Sequence, residues 1–175
     1  MRETFEGNSP CADSERELCL QRVLMATPLQ VLLRGANPYL MRQAALDCLQ
    51  KVKELEELLS RFKPDSEITI LNNLAWQEPV RVESTTFACL LRCRSYFERS
   101  KGALDITVAP LLELWNVRGK GRVPSEEEIR ETLQFVGMDK VLFEEPSHLV
   151  YFTKPGVQLD LGAVGKGTAV DACIK

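Results

Sequence analysis

The chain has 175 residues, 45% apolar and 27% charged, with a net charge of −3. That length and apolar content suffice to bury one substantial core, and the acidic balance excludes a general nucleic-acid surface, which needs a basic face. Aromatic residues are scarce at 7%, and no apolar run approaches the roughly 18 residues of a membrane span.

Residues 1–18 read as a polar, disordered lead-in. They lack the apolar core of a secretory signal, so location stays open, with the cytoplasm as default. The cysteines at 11, 19, 48, 89, 93 and 173 fit no zinc spacing, and the one histidine is His148. Cys89 and Cys93 sit four apart on a predicted helix, but two ligands do not make a zinc site; buried or free reduced thiols are the better reading.

The Val/Leu-rich stretch 22–34 contains Pro28, which implies a strand pair broken there or an edge strand with a bend. Asn37-Pro38 opens a long helix, with apolar residues at 41, 44, 45, 48, 49, 52, 55, 58 and 59 forming one stripe. Lys63-Pro64-Asp65-Ser66 breaks it, and 66–72 fits a second, short helix. A short strand follows at 80–82. Ser84 is a candidate N-cap for a helix to about Arg99, closed by Lys101-Gly102.

Residues 105–109 read as a strand stopped by Pro110, with a helical turn from Leu111 to Trp115. Residues 118–124 form a solvated basic loop. Ser125-Glu-Glu-Glu128 is a capping box opening a helix to about Val136. Residues 140–143 and 149–152 make a hairpin whose polar turn holds an exposed His148 without a role. A last strand, 156–161, leads into a glycine-rich turn.

That turn holds Gly162, Gly165 and Gly167, with Lys166 between the last two. Strand, glycine turn and helix start are where a phosphate meets backbone N–H groups and a lysine. The order is neither G-x-G-x-x-G nor a Walker A loop, and by itself it suits close packing equally well. Asp105 and Asp160 stand at the ends of apolar segments, where a carboxylate is costly to bury alone; both point to polar ligand groups or a cation.

Several blocks occur in one order: Met25-Ala-Thr, Ser60-Arg-Phe62 with Asp65-Ser-Glu67 and Leu71-Asn72, Gly102-Ala-Leu-Asp-Ile-Thr-Val-Ala-Pro-Leu111 with Leu114-Trp115, and Asp160-Leu-Gly-Ala-Val-Gly-Lys-Gly167. Over residues 22–175 this pattern resembles the ApbE family of FAD:protein FMN transferases. The resemblance implies an α+β fold of the ApbE type (T-fold-like), with mixed helices and antiparallel strands. Residues 19–175 would be its N-terminal part, the fold being incomplete at the C-terminus.

It further implies Mg²⁺-dependent transfer of FMN from FAD to a threonine of an acceptor flavoprotein, with release of AMP. A metal-dependent FAD pyrophosphatase and a non-catalytic flavin-binding subunit are the alternatives. By position, Met25 would contact the flavin and Phe62 would stack on its ring. Ala103, Leu104 and Asp105 would line the nucleotide, Asp160 and Lys166 would bind FAD, and the Ala163 carbonyl would face Mg²⁺. Asp171 would lie near the site.

Departures from the family pattern are Ala26 for Gly, Phe62 for Tyr, Leu104 for Phe and Thr168 for an aromatic residue. The family's later His-x-x-Asp-Pro-x-Thr-Gly block and its late Asp with Ser/Thr have no counterpart in this sequence. One carbonyl cannot hold Mg²⁺, which takes about six oxygens, so the chain by itself is expected to be inactive. Many members are exported lipoproteins, a signal this N-terminus does not carry.

Overall fold

The computed structural model describes residues 2–6 and 16–174. Contacts divide the chain into two compact units, Met1–Glu56 with Lys166–Lys175, and Glu57–Gly165.

The first unit is an antiparallel sheet with helices. Its strands are β1 (Arg2–Glu6), β2 (Arg16–Leu24) and β3 (Thr27–Gly35), in the order β1-β2-β3. The lead-in expected through residue 18 is therefore partly strand: Arg2–Glu6 pairs with Gln21–Glu17, and β2 starts at Arg16. The reason is a two-residue alternation hidden among charges, which turns Leu18 and Leu20 fully inward. The remainder of that segment, with Cys11, lies outside the described residues.

The hairpin also breaks elsewhere than expected. Leu24 faces Thr27 across a two-residue turn, Met25-Ala26, with φ of 51° and 55°. Two positive φ values match the twist of the flanking strands, and Pro28 continues into β3, an edge strand where its missing N–H is tolerated.

Helix α1 (Pro38–Leu59) follows. The Asn37 carbonyl Oδ1 accepts from the N–H groups of Tyr39 and Leu40 (3.0 and 3.2 Å), and Pro38 occupies the first helical position. Met41, Ala45 and Leu49 bury against Leu18 and Leu20 to make this unit's core. Ala44, on the predicted stripe, is exposed.

The second unit begins with the end of α1. Ser66 caps α2 (Glu67–Leu74), its Oγ accepting from Thr69 N at 3.0 Å. The helix α3 (Ser84–Arg99) has Glu83, not Ser84, at its N-cap, without a side-chain capping bond. It closes with Gly102 N donating to Phe97 O (2.8 Å) and Lys101 N to Glu98 O (3.1 Å), the paired bonds of a Schellman ending. Its inward face carries Thr86, Phe87, Cys89, Leu90 and Cys93.

A three-stranded sheet in the order β4 (Val80–Arg81), β6 (Leu149–Phe152), β5 (Val141–Glu144) includes the expected hairpin. Ser125 and Glu128 form the predicted capping box on α5 (Glu126–Leu133), which stops short of Val136. A short α4 (Ala109–Leu114) and the final α6 (Gly165–Ile174) complete the elements. His148 is half-buried rather than exposed: its ring stacks on Phe87 with centroids 4.9 Å apart. Among the described residues no helix is long and apolar enough to cross a membrane.

Candidate functional site

Two predicted strands are absent from the sheets, and both absences shape the site. Residues 105–109 are a turn leading into α4. Asp105 Oδ1 accepts from both the N–H (2.8 Å) and the hydroxyl (2.6 Å) of Thr107, so the side chain bends the backbone away from a ladder. Thr107 is fully buried, and its hydroxyl oxygen also accepts from Gly137 N at 2.6 Å.

Residues 157–161 join no strand ladder. Their backbone partners come from two other places. Asn72 brackets the buried Leu159, its Oδ1 accepting from Leu159 N (2.7 Å) and its Nδ2 donating to Leu159 O (3.1 Å). Asp160 N then donates to Ile106 O at 2.7 Å. The Asp105 turn and the Asp160 segment are thereby locked side by side.

Asp160 repeats the turn chemistry of Asp105. Its Oδ1 accepts from Gly162 N at 2.7 Å, and a Cβ on Gly162 would stand 2.8 Å from that oxygen, so a larger residue there would push the Asp160 carboxylate out of this turn. The second oxygen, Oδ2, lies 3.5 Å from Nη1 of Arg61. Only 11% of the Arg61 side chain is exposed; Nη2 bonds Glu113, while Nη1 is buried without a hydrogen-bond partner. Beside Arg61, the ring of Phe62 is 50% exposed.

The structure thus gathers Phe62, Asp105 and Asp160 in the second unit, through Arg61 and the Asp160–Ile106 bond. Ala103 and Ala163 are exposed and Leu104 is half-buried, Leu104 N donating to Ser100 Oγ at 3.0 Å. Met25 and Lys166 belong to the first unit. Met25 sits in the β2–β3 turn, its N–H donating to Glu56 at 2.9 Å, and Lys166 and Asp171 are exposed on α6. Added Cβ atoms at Gly165 and Gly167 would meet nothing within 4 Å. Protein packing among the described residues therefore does not demand glycine at either position.

Sequence reasoning passed over Arg61, Asn72 and Thr107, although all three stand inside the blocks it quoted. A cleft of about 380 Å³ lined by Glu67, Arg81, Val82, Glu83, Ser84 and His148 contains none of the predicted site residues. Cys89 and Cys93 are both buried; bonding to the Cys89 thiol, then burial, pushes the Cys93 thiol far up. Burial, then the neighbouring Cys48, raises the thiol of Cys173 as well.

The donor set does not by itself make a magnesium site. The Ala163 carbonyl is one oxygen where Mg²⁺ takes about six, and no three acidic, histidine or cysteine side chains cluster among the described residues.

The architecture is that of the ApbE proteins. The ApbE protein of Thermotoga maritima superposes with a TM-score of 0.82 at 31% identity, covering 90% of this chain and 51% of that one. The flavin transferase ApbE of Vibrio cholerae gives 0.81 at 22% identity, covering 92% and 53%. Residues 25–175 match the ApbE family model, and the chain belongs to that family. It is 29% identical over 150 residues to the FAD:protein FMN transferase of Klebsiella pneumoniae, covering 85% of this chain and 46% of that protein. With the enzyme of the same name from Treponema pallidum the identity is 28% over 167 residues, covering 91% and 46%. The chain spans about half the length of the relatives it matches.

Proposed function

We propose that the protein binds FAD and belongs to the machinery that transfers FMN from FAD to a threonine of an acceptor flavoprotein. In that reaction the threonine Oγ bonds to the FMN phosphorus, the anhydride P–O bond breaks, and AMP leaves with the bridging oxygen. The observation that supports this reading most is the locking of the Phe62, Asp105 and Asp160 loops around the largely buried Arg61 side chain. An exposed aromatic ring and the glycine turn at Gly162 thereby share one unit, a combination suited to a ring-bearing phosphate ester.

Phe62 would stack on the ring, and Ala103, Leu104, Asp105 and Asp160 would hold the nucleotide. Met25 is assigned to the flavin and Lys166 to phosphate charge. Gly167 is exposed, with open space where a Cβ would stand, which fits close approach of a phosphate. The Ala163 carbonyl would be one ligand of a Mg²⁺, which when bound would neutralise phosphate charge.

A second reading is a non-catalytic flavin-binding subunit, because the residues assigned here to the flavin, Phe62, Asp105 and Asp160, would bind it whether or not transfer follows. Incubation with FAD and Mg²⁺, with and without a threonine-bearing acceptor flavoprotein, separates the readings. AMP together with FMN-modified acceptor supports transfer. AMP with free FMN and no acceptor dependence means a pyrophosphatase. FAD bound and unchanged means a flavin-binding subunit. No FAD binding at all refutes the flavin assignment.

A further inference from the structure

We propose that Arg118 is the anion-recognising residue of this face, its guanidinium holding a phosphate oxygen of the flavin nucleotide whose ring packs at Phe62. The inference rests on the flavin reading above and adds to it a residue that the family blocks do not include. The loop carrying Arg118 is not the loosely solvated segment its composition suggests. Gly119 N and Gly121 N both donate to Asn116 O (3.0 and 3.2 Å), and Arg122 N donates to Trp115 O at 3.0 Å. The Arg122 side chain ties the loop to Leu114 O and Glu128, both at 2.6 Å. Asn116 and Gly121 take positive φ (48° and 70°), and a Cβ on Gly119 would stand 2.4 Å from the Asn116 side chain. The backbone around Arg118 is therefore built.

The guanidinium carbon of Arg118 stands 3.3 Å from the centre of the Phe62 ring, and that of Arg61 stands 5.1 Å from it. At 3.3 Å only a flat stack fits, which directs the N–H donors sideways past the rim of the ring. With both guanidinium groups beside it, Phe62 is still half exposed, so part of its surface is open to a ligand.

The two cations differ in what surrounds them. Arg61 is engaged by Glu113 and Asp160. Arg118 is exposed, and among the described residues no carboxylate pairs with it. A ring-stacked guanidinium with open in-plane donors is suited to bidentate contact with a phosphate oxygen pair. An uncharged flavin offers it nothing comparable.

The test is the affinity of the wild-type protein, Arg118→Ala, Arg118→Gln and Arg118→Lys for FAD, FMN and riboflavin, followed by flavin fluorescence. Thermal melts confirm that the exposed loop position leaves the fold intact. The expected result is about a tenfold loss for FAD and FMN in the Ala and Gln variants, from one charge-assisted contact. Riboflavin should stay within about twofold, and Lys should recover part of the loss. Equal losses for all three ligands would make Arg118 a mere backing for the ring and overturn the proposal, as would unchanged binding of all three. Failure of the wild type to bind any flavin would refute the flavin reading itself, a result distinct from both.

Discussion

Replacing Asn72 by alanine tests how the Asp160 segment is held. Leu159 is fully buried, and its N–H and C=O are both bonded to the Asn72 amide, at 2.7 and 3.1 Å. Truncation leaves both backbone groups without a partner, each costing about 1–3 kcal/mol when buried. Asn72 is itself half-buried, so water can satisfy part of the loss, and a net cost of about 2–4 kcal/mol follows. Asn72→Asp keeps an acceptor for the N–H but sets an acceptor-only, charged oxygen against the Leu159 carbonyl, so it should not rescue the loss. Urea unfolding followed by two probes measures the stability, and amide exchange reads the site: the Leu159 and Asp160 amides should exchange faster in Asn72→Ala. A loss below about 0.5 kcal/mol, with Leu159 exchange unchanged, would refute the claim that Asn72 holds this segment.

Ala26→Gly should stabilise the β2–β3 hairpin by about 1 kcal/mol, because Ala26 sits at φ 55° where glycine has no steric penalty; a lowered melting temperature would contradict this. Ser125→Ala should cost about 1 kcal/mol by removing the cap of α5, read by urea unfolding. Glu128 is held below the usual carboxylate range by the Ser125 N–H, then by the Arg122 guanidinium. Its stabilisation is present above the ordinary carboxylate pKa and is lost as pH falls through the lowered one. Glu128→Gln should therefore flatten the acid limb of the stability profile, and an unchanged limb would remove Glu128 from the account. Cys93 and Cys173 are raised, so both should resist alkylation by iodoacetamide near neutral pH, mapped by mass spectrometry; rapid labelling of Cys93 would show that it is not buried as described.

Where a signal is local, the sequence carries it. The apolar stripe of α1 and the Ser125–Glu128 box lie within one helix each, and the structure realises both, the exposed Ala44 apart. The segments 105–109 and 156–161 misled because apolar content reports burial and not what the backbone bonds to. One is bent by the Asp105 carboxylate, and the other is bonded by a side chain and a turn carbonyl. The β2–β3 turn was misplaced because Met25 and Ala26 are not turn-forming residues, whereas Pro28 looks like a break but tolerates an edge strand. The motif blocks single out Phe62, Asp105 and Asp160, which the structure brings together in the second unit. They do not single out Arg61, Asn72 or Arg118, because each acts on a partner far along the chain, and such pairings leave no trace in local spacing.

Whether FAD binds the face built from the Phe62, Asp105 and Asp160 loops is read by mapping amide-exchange protection on titration with FAD. Binding should saturate, with protection centred on residues 60–62, 103–107 and 160–163. Protection centred instead on the cleft between Glu67 and His148, or no protection at saturating FAD, would contradict binding there.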